Sequence, residues 1–504
     1  MRRPTIVSIA FWRVKLLLVA LFLEGLLVVL PTTATAQMLT RSNVSTFPDP
    51  VSVVASDFNH DGMMDFAVSC NYFYNGPSGI EVYLGNGDGT FNGPTEYRVA
   101  NGTGPMAVAD LNHDGNLDLV ASSFNSNAVL VLLGNGDGTF KPPASYATGY
   151  PSAIVLGDFN NDGNLDIASA DQDPMCLCVA VLLGNGDGTF QASPIITYMP
   201  SGSGPLGVAA GTLNDDKNVD LAVTLGFISS ATAQILLGNG DGTFTLGASY
   251  TLHQSPSAIV ASDLRNNGKT DLVVAGLFSP GLAVLLSDGD GTFQQPVYYA
   301  FGGSFFESPF SLTVAAGDMN GDGIPDLVAA TTVSVNATYY SGIYIFPGKG
   351  DGTFGAPGIA SPVASNSFPN SLALADFNGD HQLDVTFSSH LGEIEERVLI
   401  NTGRVKFSPI APLTFKKQKQ GTTSPPGLVR LTNGSNAALK ITSMQTTGPF
   451  GATSNCGKSV PSKGSCTISI TFSPTSTGSF SGTVSINDSA SSKPQIIVVS
   501  GNGN

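Results

Sequence analysis

The chain has 504 residues and a formal net charge of −16, so it is long enough for more than one domain and lacks the basic surface that nucleic-acid binding needs. Only 12% of residues are charged, while 59 are Gly and 31 are Pro, which favours strands and turns over long helices. The 42% hydrophobic share excludes a disordered polypeptide.

The N-terminus reads as a signal peptide over residues 1–36. Arg2, Arg3, Arg13 and Lys15 precede an apolar run from Leu16 to Leu30, and Ala34-Thr35-Ala36 supplies small residues for cleavage before Gln37. Cleavage would leave 18 basic and 37 acidic side chains, a net charge of −19, and no second apolar span. The expectation is a secreted, periplasmic or cell-surface protein with no membrane span after processing, and a monomer.

From residue 57 onward a nine-residue pattern, Asp-x-Asn-x-Asp-Gly-x-x-Asp, recurs seven times at steps of 48 to 58 residues. Such a period marks a repeat architecture. In the third unit, Ser152-Ala-Ile-Val-Leu156 reads as a buried inner strand and Asp158 to Asp166 as an acidic loop. Ile167-Ala-Ser169 begins a second strand, and Asp171 to Met175 reads as a polar loop. Val179-Ala-Val-Leu-Leu183 makes a third strand, and Ile195 to Tyr198 the outer one. Four strands in about 50 residues make one blade of a β-propeller. Gly-Asp-Gly-Thr-Phe, ending at Phe91, Phe140, Phe190, Phe244, Phe293 and Phe354, reads as the turn between strands three and four. The seventh unit keeps only Asn401 to Phe407 of that segment. Seven blades would close a ring, with residues near Met38 to Phe47 supplying the outer strand of the last blade.

The acidic loops carry the chemistry. Oxygens at positions 1, 3 and 5 of a tight loop can converge, Gly at position 6 permits the turn, and a carboxylate at position 9 can close the shell around a hard cation. An all-oxygen donor set favours calcium. Four loops match fully: Asp57/Asn59/Asp61/Asp65, Asp110/Asn112/Asp114/Asp118, Asp158/Asn160/Asp162/Asp166 and Asp318/Asn320/Asp322/Asp326. A fifth, Asp376/Asn378/Asp380/Asp384, has His381 in the Gly position. Two are degraded. Thr212/Asn214/Asp216/Asp220 has Lys217 at position 6, and Asp263/Arg265/Asn267/Asp271 puts a cation at position 3. Four or five structural calcium ions are expected, with none bound tightly in the degraded loops. The competing reading is acidic turns held by their own Asx hydrogen bonds.

These units resemble FG-GAP or VCBS repeats over about residues 38–410. The resemblance implies a seven-bladed, integrin-α-like propeller with calcium in the loop joining strands one and two. That family includes adhesion and ligand-binding proteins and some enzymes, so it does not fix a function.

The period stops near Ala411. Residues 411–504 read as short strands, among them Leu428 to Leu431, Leu439 to Ile441, Cys466 to Phe472, Gly482 to Ile486 and Ile496 to Val499. That pattern suggests a small β-sandwich. Leu413-Thr-Phe415, Gly448-Pro-Phe450, Cys466-Thr-Ile and Phe472-Ser-Pro474 resemble an ASH- or Hydin-type (choice-of-anchor D) immunoglobulin-like domain, which implies an interaction or spacer module. The fold expectation is thus all-β, with a seven-bladed propeller over residues 37–410 and an immunoglobulin-like sandwich over 411–504. Of five cysteines, Cys456 and Cys466 close a short loop and form the one expected disulfide. Cys176 and Cys178 read as too close for an unstrained bridge within one strand.

A ligand would meet the face opposite the acidic loops, where Tyr72, Phe73, Tyr74, Phe301, Phe305, Phe306, Tyr339 and Tyr340 lie in or near connections. The mature chain has no Trp, and no nucleophile elbow, zinc-hydrolase motif or phosphate loop is present. The expectation is non-catalytic adhesion or binding of a protein or glycan, with no nucleic-acid partner. The rivals are a secreted polysaccharide-active enzyme on the propeller and a purely architectural surface protein.

Overall fold

The computed structural model describes residues 39–504 except 46–48, 72–77, 100–101, 174–175, 201–203, 227–230, 254, 278–280, 302–308, 336–337, 364–367, 391–394, 402–404, 409–412, 434–437, 463 and 490–494. The expected signal segment lies outside the described residues, as do Tyr72, Phe73, Tyr74, Phe305 and Phe306. Apart from a single 3-10 turn at Phe124–Ser126, every regular element among the described residues is a strand, and no helix is long and apolar enough to cross a membrane.

Seven four-stranded antiparallel sheets follow one another as meanders. Blade 1 runs Pro50–Ser56, Asp65–Cys70, Gly79–Tyr83 and Thr95–Arg98, and blade 3 runs Pro151–Gly157, Asp166–Asp173, Cys176–Leu182 and Ile195–Tyr198. Blade 7 is completed from the other end of the chain. Its strands Phe368–Ala375, Asp384–His390 and Glu395–Asn401 take Leu39–Ser45 as the outer strand, antiparallel, from Leu39 opposite Asn401 to Ser45 opposite Glu395. The inner strands of blades 7 and 1 then meet: Asn370 Nδ2 donates to the Pro50 carbonyl (3.1 Å) and the Val53 N–H to Ser371 Oγ (3.3 Å). The ring is closed, which removes the long free sheet edges that invite aggregation.

A proline opens most inner strands for a physical reason. Pro cannot donate to a ladder, so it sits where the register slips. Slips occur at Pro50/Ser52, Pro151/Ala153, Pro205/Gly207, Pro256/Ala258, Pro309/Ser311 and Pro369/Ser371. Between blades, apolar side chains of facing sheets form separate cores, such as Val53, Phe66, Tyr83, Phe377 and Val398 between blades 1 and 7.

Two expectations are corrected in blade 3. Asp171 is not in a loop: the ladder continues through Asp171–Cys178, Gln172–Leu177 and Asp173–Cys176. Cys176 and Cys178 are bridged (S–S 2.00 Å), because the local backbone contracts to a Cα–Cα distance of 5.2 Å, within the range a disulfide spans. Elsewhere, Tyr339 and Tyr340 belong to the strand Thr338–Phe346 rather than to a loop.

The C-terminal region is a two-sheet sandwich. One sheet orders Val405–Ser408, Gly427–Asn433, Ser465–Phe472 and Phe450–Ser454, and the other orders Leu413–Gln418, Gln495–Gly503, Gly478–Asp488, Leu439–Thr446 and Ser459–Val460. Val405–Ser408 pairs with Gly427–Asn433, so the sandwich begins ahead of the expected boundary at 410. Phe407 therefore lies opposite Leu431 in the sandwich, not in a seventh-blade turn. Phe415, Phe450 and Phe472 stack in its core, and Cys456 and Cys466, buried in the same core, form a disulfide (S–S 2.07 Å).

Candidate metal centre

Each acidic loop joins the first and second strands of its blade. Its geometry is easiest to follow in blade 1. The Asp61 N–H donates to both Asp57 Oδ1 (3.2 Å) and Asn59 Oδ1 (3.1 Å), so those two oxygens converge on one point. Gly62 N–H donates to Asp57 Oδ2 (2.8 Å) and Met63 N–H to Asp61 Oδ1 (2.8 Å). The same paired convergence recurs on Asp114 from Asp110 and Asn112, on Asp162 from Asp158 and Asn160, and on Asp380 from Asp376 and Asn378. In blade 6, Asp318 Oδ1 accepts from the Asp322 N–H, but Asn320 turns its amide toward Asp326 instead (3.3 and 3.2 Å).

Position 9 is where the structure adds most. Asp65, Asp118, Asp166, Asp220, Asp271, Asp326 and Asp384 are all fully buried. Asp65 Oδ2 accepts the Phe58 N–H (2.8 Å) and Oδ1 the Gly85 N–H (2.8 Å), tying the acidic loop to the turn between strands three and four. Asp166 does the same with Phe159 and Gly184, and Asp384 with Phe377 and Asn401. The clasp brings the two backbones so close that a Cβ on Gly85 would lie 2.2 Å from the Met64 carbonyl oxygen, which is why a glycine stands there. A carboxylate oxygen has lone pairs to spare, so the clasp leaves room for a further ligand bond.

Burial pushes the carboxyls of Asp65, Asp166 and Asp326 up to about 6 from an ordinary 3.8, and that of Asp384 up to about 9. The loop carboxylates push in the same direction, Asp61 and Asp57 acting on Asp65, while the two backbone N–H groups pull down. Mutual repulsion among these oxygens is the electrostatic condition that a bound cation would relieve.

The donor set is oxygen only, it converges in blades 1, 2, 3 and 7, and it repels itself, so these residues fit a hard divalent cation. Among the described residues, no three His, Cys, Asp or Glu side chains are gathered tightly enough to hold a metal as they stand, so a cation would have to draw in the Asn amide and backbone oxygens as well. Blade 5 does not fit. Arg265 Nη2 donates to Asp271 Oδ1 (2.6 Å) and the Ser287 carbonyl (2.7 Å), and Nε donates to Asp271 Oδ2 (3.1 Å). Blade 4 lacks the Asp57-type oxygens, and neither Asp215 nor Lys217 has positive φ.

Sequence reasoning missed position 4. There, His60 (φ 58°), His113 (57°), Asn161 (59°), Asn266 (51°), Gly321 (75°) and Gly379 (69°) are left-handed, as position 6 is. The signal was present, because His, Asn and Gly are the residues that tolerate this conformation best. Two of these side chains also reach the neighbouring loop at position 7: His60 Nε2 lies 3.2 Å from Asn116 Oδ1, and Asn161 Nδ2 donates to Asn218 Oδ1 (2.7 Å).

The Gly-Asp-Gly-Thr-Phe segments are hydrogen-bonded turns. Thr90 N–H and Oγ1 both donate to Asp88 Oδ1, which holds the Asp88 carboxyl below its ordinary value. The turns of blades 1, 2, 4 and 5 also hydrogen-bond to the preceding blade. Gly138 N–H donates to the Phe58 carbonyl (3.2 Å), and Phe58 meets Phe140 edge-on at 5.5 Å. On the far side, Phe301 packs against Tyr344 and Phe346 (5.0 and 5.4 Å), so its ring serves the core between blades.

A family model described as FG-GAP-like repeat matches residues 57–121, 110–169, 158–223, 213–274, 263–329 and 332–387. These matches span more than half of the chain, which therefore belongs to the FG-GAP-like repeat family. Residues 404–496 match the model described as abnormal spindle-like microcephaly-associated, ASPM-SPD-2-Hydin, the ASH domain. Among solved structures, the chain is similar to the Dos1 propeller (13% identity, 72% of this chain and 96% of that one, TM-score 0.43) and to a protein from Lactobacillus plantarum (12%, 64% and 87%, TM-score 0.44). It is also similar to the ASH/PapD-like domain 7 of human CEP192 (16%, 20% and 86%, TM-score 0.17). No curated protein matches. Propeller repeats followed by an ASH module are the architecture of a binding or architectural protein.

Proposed function

We propose that the chain is an exported, calcium-stabilised propeller that binds a protein or glycan without catalysing its conversion, through the face opposite the acidic loops. The observation that carries the calcium reading is the convergence of Asp57, Asn59 and their counterparts onto single backbone amides beside a buried, repelled carboxylate. Asp57, Asn59, Asp61 and Asp65, with the equivalent residues around Asp110, Asp158 and Asp376, would hold the ions; Asp318 to Asp326 would do so once Asn320 turns. Calcium there would neutralise the loop carboxylates and fasten the ends of neighbouring strands. Extracellular calcium modules bind with dissociation constants of about 0.1–1 mM, so at about 1 mM calcium each site would add roughly 0.4–1.4 kcal/mol.

The reading leaves the second face for recognition. In an antiparallel meander, the connections between strands two and three and those between blades emerge there together, on a scaffold the metals would stiffen. The test is calorimetric titration of calcium into chelator-stripped protein, with melting followed in parallel and glycan-array binding measured with and without calcium. Four or five ions and a rising melting temperature are expected. Absence of saturable binding and of any thermal shift would reduce the loops to acidic turns.

A further inference from the structure

We propose that the Cys176–Cys178 bridge, with Asp171 facing it across the hairpin, is a thiol–disulfide exchange site that takes a protein dithiol as its substrate. This inference is independent of the calcium reading.

Three observations carry it. First, the bridge spans one intervening residue, so it removes little entropy from the unfolded chain and adds little stability. Second, the two sulfurs differ in access: Cys178 is fully buried while Cys176, at the hairpin end, is half-buried. An incoming thiolate can reach only one of them, which fixes Cys176 as the attacked sulfur and Cys178 as the leaving one. Third, Asp171 is the direct cross-strand partner of Cys178, and directly opposed side chains share a face with Cβ atoms about 4.5–5.5 Å apart. Asp171 is 1% exposed; its Oδ2 accepts the Gly149 N–H (2.8 Å), and its Oδ1 makes no full hydrogen bond, the carboxyl having only a weaker interaction with the Ser169 hydroxyl beside it. A buried carboxyl oxygen left without a full hydrogen bond costs free energy, so its presence beside the bridge asks for a function. Burial pushes the Asp171 carboxyl up to about 6, with Asp173 adding to the effect. That value lets it both hold and release a proton near neutrality.

The exchange balances as follows. A thiolate of the partner attacks Cys176 Sγ, a mixed disulfide forms, the Cys176–Cys178 bond breaks, and its electron pair leaves on Cys178 Sγ. Cys178 takes the proton held by Asp171. The partner's second thiolate then attacks its own sulfur in the mixed disulfide and releases Cys176, which is protonated from solvent. The partner dithiol is oxidised to a disulfide, and this chain is reduced to a dithiol. In the reverse direction Asp171 accepts the Cys178 proton.

The experiment is timed reduction of the full chain by dithiothreitol, with differential alkylation read by mass spectrometry, using the buried Cys456–Cys466 bridge in the same molecule as the reference. The Cys176–Cys178 bridge is expected to open at least about tenfold faster than the reference, as an accessible bridge should. Asp171→Asn is expected to slow that opening by about tenfold, as loss of a proton relay does, while leaving the reference bridge and the melting temperature unchanged. Should Asp171→Asn lower the melting temperature, Asp171→Glu decides: a restored rate supports the relay and an unrestored one overturns it. Cys178→Ser leaves Cys176 as a thiol without its resolving partner; its thiolate is expected to attack the disulfide of an oxidised two-cysteine peptide and to hold one peptide sulfur in a mixed disulfide, the other leaving as a thiol. Equal opening of the two bridges, an unchanged rate in Asp171→Asn, or no trapped adduct would each overturn the proposal.

Discussion

Blades 3 and 5 build the same loop and tie its last carboxylate to the turn between strands three and four, through the Gly184 and Ser287 N–H groups, and they differ in what else faces that buried carboxylate. In blade 3, Asn160 presents an oxygen to the Asp162 amide, and Asp166 is left with two backbone N–H groups and two repelling neighbours, Asp162 and Asp158. In blade 5, Arg265 occupies the same position and places a guanidinium on Asp271 with both Nε and Nη2. The pair is largely removed from solvent, Arg265 being 16% exposed and Asp271 0%. Blade 5 supplies its own cation, and blade 3 has, on our proposal, a site for one.

The largest effect should come from removing that internal cation. Arg265→Ala leaves Asp271 buried and unpaired, which typically costs about 3–5 kcal/mol. Denaturant unfolding of the variant should show a loss of that size. Arg265→Asn sharpens the comparison, because it restores an oxygen at position 3. It should be as unstable as Arg265→Ala in chelator and recover part of the loss in millimolar calcium, with one more ion counted by calorimetry. If calcium restores nothing, the guanidinium is not standing where a metal would.

Breaking the clasp itself comes next. Asp166→Ala removes the acceptor of the buried Phe159 and Gly184 N–H groups, at a cost of about 2–4 kcal/mol if neither finds a new partner. Asp158→Ala removes acceptors from an exposed part of the loop, so it should cost less in chelator and show its effect mainly as a lost calcium ion. Equal losses for the two variants would contradict the division between clasp and ligand.

A smaller effect is the pH dependence. The folded pKa of Asp65, Asp166 and Asp326 is about 6 against an ordinary 3.8, so folding favours their protonated forms. Their contribution to stability is fully present below about pH 4 and is lost as pH rises through 6, with Asp384 continuing the loss toward 9. Chelated protein should therefore melt lower at pH 7 than at pH 5. Saturating calcium should flatten or reverse that slope, since it binds the ionised form.

The ring, its seven units and its closure by the chain's own N-terminal strand were legible because a 48-to-58-residue period leaves few alternatives and an open blade needs an edge partner. The shape of the acidic loops was legible too, since Asp and Asn at alternate places around a Gly mark a tight turn held by side-chain to backbone hydrogen bonds. The double role of Asp166 was not, because its second partner, Gly184, is 18 residues away and becomes a neighbour only when the blade folds. Asp171 was misread as loop because a polar run beside Pro174 carries turn residues. The cross-strand ladder that reclaims it depends on Val179 and Ala180 fixing the register opposite Ala170 and Ser169.

The smallest expected effect tests the loop backbone alone. His381 stands where blade 3 has Gly163, and it adopts φ +64° against +87° for the glycine. Its N–H makes the same bond, to Asp376 Oδ2 at 2.6 Å, as Gly163 makes to Asp158 Oδ2 at 3.0 Å. The turn is thus conserved in shape within one chain, and the difference is a left-handed side chain. Relief of that strain by His381→Gly should stabilise, but glycine also gains freedom in the unfolded chain, and the two terms oppose each other. The net change should lie within about 1 kcal/mol, with the calcium stoichiometry of the blade 7 loop unchanged. A loss of the blade 7 ion in this variant would mean that the imidazole, which approaches Asp376 Oδ2 at 3.9 Å, helps to hold the loop closed and is more than a tolerated substitute for glycine.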